Sequence, residues 1–336
     1  MPVFRAAGGR WTSPVLPSVS GLGRGLLVPG TYLPSASTTG VDPGLPLTDV
    51  TELLVVSSPG ASYYNCRFLD MVDVRAPDVT FVNCRFEGPS AAVSGPIVRA
   101  THERVQNLVL EDCTIRPRAV NDKTHCFYGW RFTMRRVDSS GGIDCVSIVA
   151  PAGETRASAR IEASWLHDMA FFSPTMTQPE NATHNDLVEI HGLWDVEIDG
   201  SRLEAFVDPS IGNASVPPTG TWPHGHLGGN PYYPHMWGLS GVMCAAGDGT
   251  SMGDISVRRS WIDGGQVGVN FAAATPERMP DCGEVVGNWF GSDYGRGPDY
   301  GVLARNAQKL TLAGNHRWNP SDPLDTSVPF NVRKAS

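Results

Sequence analysis

The chain has 336 residues and a mass of 36.1 kDa, with 41% hydrophobic and 18% charged residues, a composition that supports a substantial core and excludes a disordered chain. Its 37 glycines and 27 prolines exclude an architecture of long helices and favour many turns, so an all-β fold is expected. A net charge of −8 and a pI near 5.6 exclude a polyanion-binding surface spread over the whole protein, and nucleic acid is not an expected partner.

Residues 1–50 are rich in Gly, Pro and Ser and carry little periodicity, so they are expected to form an irregular capping or attachment segment. The start, from Met1 to Arg10, lacks the apolar stretch of a secretory signal, and no run of about 18 apolar residues occurs. Neither conventional export nor membrane insertion is expected.

From residue 61 a motif recurs: an apolar residue, another two later, a small or polar residue three further on, and an apolar residue two beyond that. Its copies are Ala61, Tyr63, Cys66, Phe68; Val79, Phe81, Cys84, Phe86; Leu108, Leu110, Cys113, Ile115; Phe132, Met134, Val137, Ser139; and Ala159, Ile161, Ser164, Leu166. They continue with Val196, Ile198, Ser201, Leu203; Ile255, Val257, Ser260, Ile262; and the looser Gly283, Val285, Asn288, Phe290 and Leu310, Leu312, Asn315, Arg317. Apolar residues two apart share one face of a strand, and the three-residue step marks a bend, so each copy predicts strand, corner, strand.

The central positions are separated by 18, 29, 24, 27, 37, 59, 28 and 27 residues, a rigid motif with variable connections. A parallel β-helix requires this, because each coil needs a fixed inward pattern to stack while loops leaving the cylinder lengthen freely. The expected fold is a single β-helix over residues 51–318, about nine coils and on the order of 40 Å long, followed by a tail or cap at 319–336. The central column would form a ladder of small or hydrogen-bonding residues at one corner. Seven cysteines without a CxxC pair suggest neither a zinc cage nor a complete disulfide framework. Those in the column are expected as small buried thiols, although neighbouring coils are close enough for a disulfide.

A second strand class lies between the copies, at 144–148, 186–190, 265–269 and 300–303. Alternation turns Val146, Ile148, Val188, Ile190, Val267 and Val269 inward and Ser147, Glu189, His191, Gln266 and Asn270 outward. Asp144, Asp186, Glu189 and His191 are the candidate catalytic residues, and His184 a candidate substrate contact. Carboxylates on stacked coils serve as general acid and base on a glycan, or hold a cation that acidifies a uronate carbon. The alternative is that the aspartates satisfy turn amides and that Glu189 and His191 are solvated groove residues. No outward basic residue accompanies this strand, which weakens a lyase mechanism more than a hydrolase, which needs only two acids.

The longest excursion, between Ser201 and Ser260, carries Trp222, His224, His226, Tyr232, Tyr233, His235 and Trp237. Trp222, Tyr232, Tyr233 and Trp237 are candidate sugar contacts, since flat aromatic faces suit sugar rings and protein partners alike. The alternative is that they pack their own loop onto the cylinder. The histidines lack a third ligand at fixed spacing, so no metal or other cofactor is expected.

The stretch from Tyr32 to Thr48 (Tyr-Leu-Pro-Ser-Ala-Ser-Thr-Thr-Gly-Val-Asp-Pro-Gly-Leu-Pro-Leu-Thr) resembles the opening of a family of right-handed parallel β-helix proteins of actinobacteria and their phages. Residues 74–86 and 183–192 also resemble family blocks, the latter with Val188 and Glu189 where Ile or Leu and Gln are common; Asp42 replaces a usual Pro. The resemblance implies a right-handed, pectate-lyase-like solenoid and a minor tail or spike protein of a phage virion. Such a protein is assembled in the host cytoplasm, acts outside the cell, contacts other tail proteins, often forms a homotrimer and recognises host cell-surface polysaccharide. The rivals are a polysaccharide depolymerase, hydrolase or lyase, using the groove acids, and a secreted bacterial polysaccharidase.

Overall fold

A computed structural model describes residues 33–154, 156–172, 175, 183–192, 194–212, 240–245, 253–265, 267–271, 283–291, 301–304, 310–317 and 332–334. Regular structure among the described residues is all strand, in three long parallel sheets. The first sheet comprises Thr48–Val50, Cys66–Phe68, Arg85–Phe86, Thr114–Ile115, Asp138–Ser140, Trp165–His167, Arg202–Ala205, Trp261–Gly264, Trp289–Phe290 and His316–Arg317. The second comprises Leu54–Val56, Val72–Val74, Gly95–Ala100, Thr124–Gly129, Val146–Ile148, Asp186–His191, Ser240–Ala245, Val267–Asn270, Val302–Ala304 and Val332–Lys334. The third comprises Ser62–Tyr64, Thr80–Val82, Leu108–Glu111, Phe132–Arg135, Arg156–Glu162, Trp194–Asp199, Gly253–Arg258, Gly283–Val286 and Leu310–Ala313. The chain visits third, first and second sheet in turn, an order consistent with a parallel solenoid. A short extra pair, Met169–Phe171 with Val207–Gly212, stands apart from the three.

All nine motif copies span a third-sheet strand, a corner and a first-sheet strand. The bend has one cause at every copy: the residue before the central position has φ between 47° and 67°, at Asn65, Asn83, Asp112, Arg136, Ala163, Gly200, Arg259, Gly287 and Gly314. Asn, Asp and Gly tolerate this left-handed conformation, whereas Arg136, Ala163 and Arg259 occupy it at a cost. The N–H of each of the first eight donates to a carbonyl of the next repeat, as Asn65 does to Val82 and Arg136 to Glu162.

The central column is a hydrogen-bonded ladder. Val137 N donates to Ser164 Oγ (3.0 Å), Ser164 N to Ser201 Oγ (3.2 Å), Ser201 N to Ser260 Oγ (3.1 Å), Ser260 N to Asn288 Oδ1 (2.9 Å) and Asn288 N to Asn315 Oδ1 (3.1 Å). Small polar side chains are selected here because each satisfies an amide that would otherwise be buried without a partner. Cys84 and Cys113 instead donate weakly to carbonyls, and all six described cysteines are free thiols, so no disulfide joins the column.

Inside, like residues stack from repeat to repeat. Tyr63 lies over Phe81 and Phe68 over Phe86, each pair with ring centroids 5.0 Å apart, close to the strand spacing of about 4.8 Å. The exposed face of the third sheet is laced by ion pairs: Arg135 with Glu162, Arg160 with Glu197, Arg258 with Glu284 and Arg259 with Asp199.

Described segments outside the nine repeats also pair with the sheets. Residues 34–42 do not sit over an open end but run along the first sheet: Pro34 O accepts from Arg202, Gly40 N donates to Arg136 O, Val41 N to Thr114 Oγ1 and Asp42 N to Asn83 Oδ1. Sheet pairing also extends past 51–318, because Thr48–Val50 pairs with Cys66–Phe68 and Val332–Lys334, expected in the tail, pairs with Val302–Ala304. Strand edges that would otherwise be open are thus covered by backbone that lacks the motif.

Candidate functional site

The second sheet gathers the candidate residues. Its register aligns Asp73, Arg99, Tyr128, Ser147, Glu189, Met243 and Asn270, one per repeat. Their chain neighbours Val72, Val98, Phe127, Val146, Val188, Val242 and Val269 are buried in the core, so the aligned row faces away from it. Arg99 is exposed, and Asp73, Tyr128, Glu189, Met243 and Asn270 are half-buried. Ser147 departs from its expected outward exposure: between Tyr128 and Glu189 it is fully covered. Gln266 lies outside the described residues.

At the N-terminal ends of these strands a second, deeper group assembles. His125 Nδ1 stands 2.7 Å from Asp144 Oδ2, and Asp144 Oδ1 accepts the amide of Asp186 at 2.9 Å. Asn185, fully buried, donates to Ile143 O at 2.8 Å and fixes the entry of the chain into the Asp186–His191 strand. Glu189 Oε2 and His191 Nε2 lie 3.0 Å apart, with side chains 25% and 36% exposed. Asp144 and Asp186 are only 4% exposed, so these two candidates lie beneath the surface while Glu189 and His191 remain reachable.

Burial separates the carboxyls electrostatically. It pushes Asp144 up, a shift opposed by His125 and reinforced by the charge of Glu189. It pushes Asp186 well up, and the negative charges of Asp144 and Glu189 add to this, favouring the neutral acid. For Glu189 burial also pushes up, but the His191 hydrogen bond, helped by His125 and His184, outweighs it and the carboxyl falls below its ordinary range. Burial lowers His191, yet its contact with Glu189 wins and its value rises. Tyr128 is raised by burial and by the charges of Asp144 and Glu189.

His184 is half-buried near this group. Trp222, Tyr232, Tyr233 and Trp237, with His224, His226 and His235, lie outside the described residues. Among the described residues no His, Cys, Asp and Glu group has the arrangement of a metal site.

Sequence reasoning did not single out His125, Tyr128 or Arg99. Arg99 adds a basic residue to this face of the sheet, in register with Tyr128 and three strands from Glu189. A usable signal existed in Thr124-His125-Cys126-Phe127-Tyr128-Gly129, whose aromatic and β-forming residues suit a strand. No protein-family model, no curated protein and no solved structure matches the chain.

Proposed function

We propose that the chain is a right-handed parallel β-helix that engages host cell-surface carbohydrate as a tail-associated component of a phage virion. The observation that carries the reading is the second-sheet row, which offers Asp73, Arg99 and Tyr128 on successive repeats and Glu189 one repeat beyond the covered Ser147. A linear polymer lying along that line would meet Asp73, Arg99 and Tyr128 about 4.8 Å apart, and a tyrosine among charged groups supplies both a ring face and hydrogen bonds for a sugar. Strict cycling through three parallel sheets supports the β-helix, and the overwhelming preference of parallel crossovers for one hand supports the right-handed form. The virion setting rests on the sequence resemblance of residues 32–48, 74–86 and 183–192.

The test is adsorption of purified protein to host envelope glycans. Tyr128→Ala should weaken it about tenfold, the scale of one lost ring contact and its hydrogen bond. Arg160→Gln, on the ion-paired third sheet, should leave it unchanged. Equal adsorption by Tyr128→Ala and the unaltered protein would remove the row from the binding site.

One observation favours a second reading, cleavage of the bound glycan. The environment holds Glu189 ionised while pushing its neighbours Asp144 and Asp186 towards the neutral acid, the division of labour that acid–base catalysis needs. New reducing ends, or absorbance from unsaturated uronates, that vanish in Glu189→Gln at unchanged thermal stability would establish it. Neither product on any host glycan would dismiss it.

A further inference from the structure

A different part of the surface concentrates positive charge. A pocket of about 250 Å³ is lined by Arg85, Glu87, Arg116, Pro117 and Arg118, at the first-sheet strands Arg85–Phe86 and Thr114–Ile115 and the segments that leave them. Three guanidinium groups share one carboxylate there, at 3.7 Å from Arg85 and 4.0 Å from Arg118. By contrast Arg67, Arg75, Arg136 and Arg202 each hold a carboxylate within 2.7 Å. In a protein of net charge −8 the lining itself carries two more positive than negative groups, with the Asp168 carboxylate acting on Arg116 from outside it.

The arginines are also differently prepared. Arg118 is pinned by its backbone contacts, Nε donating to Gly88 O at 2.9 Å and Nη2 to Leu69 O at 2.6 Å, which fixes the guanidinium and leaves further N–H donors for a ligand. Arg85 and Arg116 lie at the surface, with 42% of the Arg85 side chain exposed. A fixed donor lowers the ordering cost of binding an anion, and guanidinium forks match oxyanions with paired hydrogen bonds.

From this geometry we infer that the Arg85, Arg116 and Arg118 pocket binds the phosphoryl group of a phosphorylated sugar. The excess of two charges matches a phosphate monoester, which carries roughly −1.5 to −2 near neutral pH, better than the single charge of a carboxylate. The sugar assignment rests on the carbohydrate reading above and adds its chemical class.

The experiment is calorimetric titration of the full chain at low salt with four probes: glucose 6-phosphate, inorganic phosphate, galacturonate and glucose. Glucose 6-phosphate should bind most tightly, and its affinity should fall as salt is added. Arg116→Gln and Arg85→Gln should each weaken it about tenfold, the scale of a lost charge-assisted hydrogen bond. Arg160→Gln should match the unaltered protein, and thermal midpoints of all three variants should stay together. Inorganic phosphate binding as tightly as glucose 6-phosphate would overturn the sugar assignment, and galacturonate binding as tightly would overturn the phosphoryl assignment. Unchanged affinity in Arg116→Gln and Arg85→Gln, or no binding of glucose 6-phosphate, would overturn the site itself. Either result leaves the second-sheet reading standing, because that is judged by Tyr128→Ala on whole glycans.

Discussion

Ala163 is a β-carbon in a conformation that suits glycine, with φ of 47° at a corner where its counterparts in other repeats include Gly200, Gly287 and Gly314. Ala163→Gly should therefore raise stability by about 1 kcal/mol in denaturant unfolding, since relief of the left-handed strain exceeds the added entropy of the unfolded chain. The neighbouring column gives the opposite result. Ser201→Ala removes the acceptor for the Ser164 amide inside the core and should cost about 1–3 kcal/mol. A third residue couples stability to pH. Burial lowers the His167 imidazole, but Asp138 at 3.1 Å and Asp168 at 2.7 Å overcome this and lift it to about 9. A raised histidine stabilises the fold fully below its unfolded value of about 6.5, and the contribution disappears as pH rises through about 9. Unfolding measured between those limits should show a loss on the order of 2–3 kcal/mol that is absent in His167→Gln. A flat profile in the unaltered protein would mean that His167 is not held as a cation.

At the scale of elements, residues 34–42 bind repeats together from outside. Gly40 has φ of 79°, and a β-carbon there would stand 2.6 Å from Thr114 Oγ1 and 3.0 Å from Asp138 Cβ. Gly60 has φ of 70° with nothing within 4 Å of the same position. Gly60→Ala should thus cost only the conformational strain of about 1–2 kcal/mol, and Gly40→Ala more, with the excess measuring the docking of this segment. Equal losses would mean that the segment packs too loosely to matter. The third-sheet and first-sheet strands were legible because an inward pair on each side of a fixed corner leaves a rigid spacing. The left-handed residue at that corner was visible in Asn65, Asn83, Asp112 and the glycines and invisible in Arg136 and Arg259, whose types carry no such preference. Second-sheet strands were only partly legible. Gly95–Ala100 and Thr124–Gly129 are buried at most positions, so alternation is lost there, and the connections leading to them vary in length. That is why Glu189 and His191 were found while Arg99, His125 and Tyr128 were not.

Across the whole molecule, the three sheets divide their tasks. The third sheet neutralises its own charges in an ion-paired face, the first carries the docked segment and the arginine pocket, and the second aligns a mostly polar row, one residue per repeat. The polymer of the proposed function would lie on the last of these, because a row of one side chain per repeat extends as far as the stack does. The deeper His125, Asp144 and Asp186 group lies below that row and shapes its electrostatics. The most direct measurement is a crystal structure of the protein bound to an oligosaccharide released from a glycan that it adsorbs. The account predicts a right-handed coil with the saccharide lying across the second sheet, in contact with Arg99, Tyr128 and Glu189. A saccharide seated instead on the ion-paired third sheet, or a chain whose repeats do not wind in one continuous coil, would contradict it.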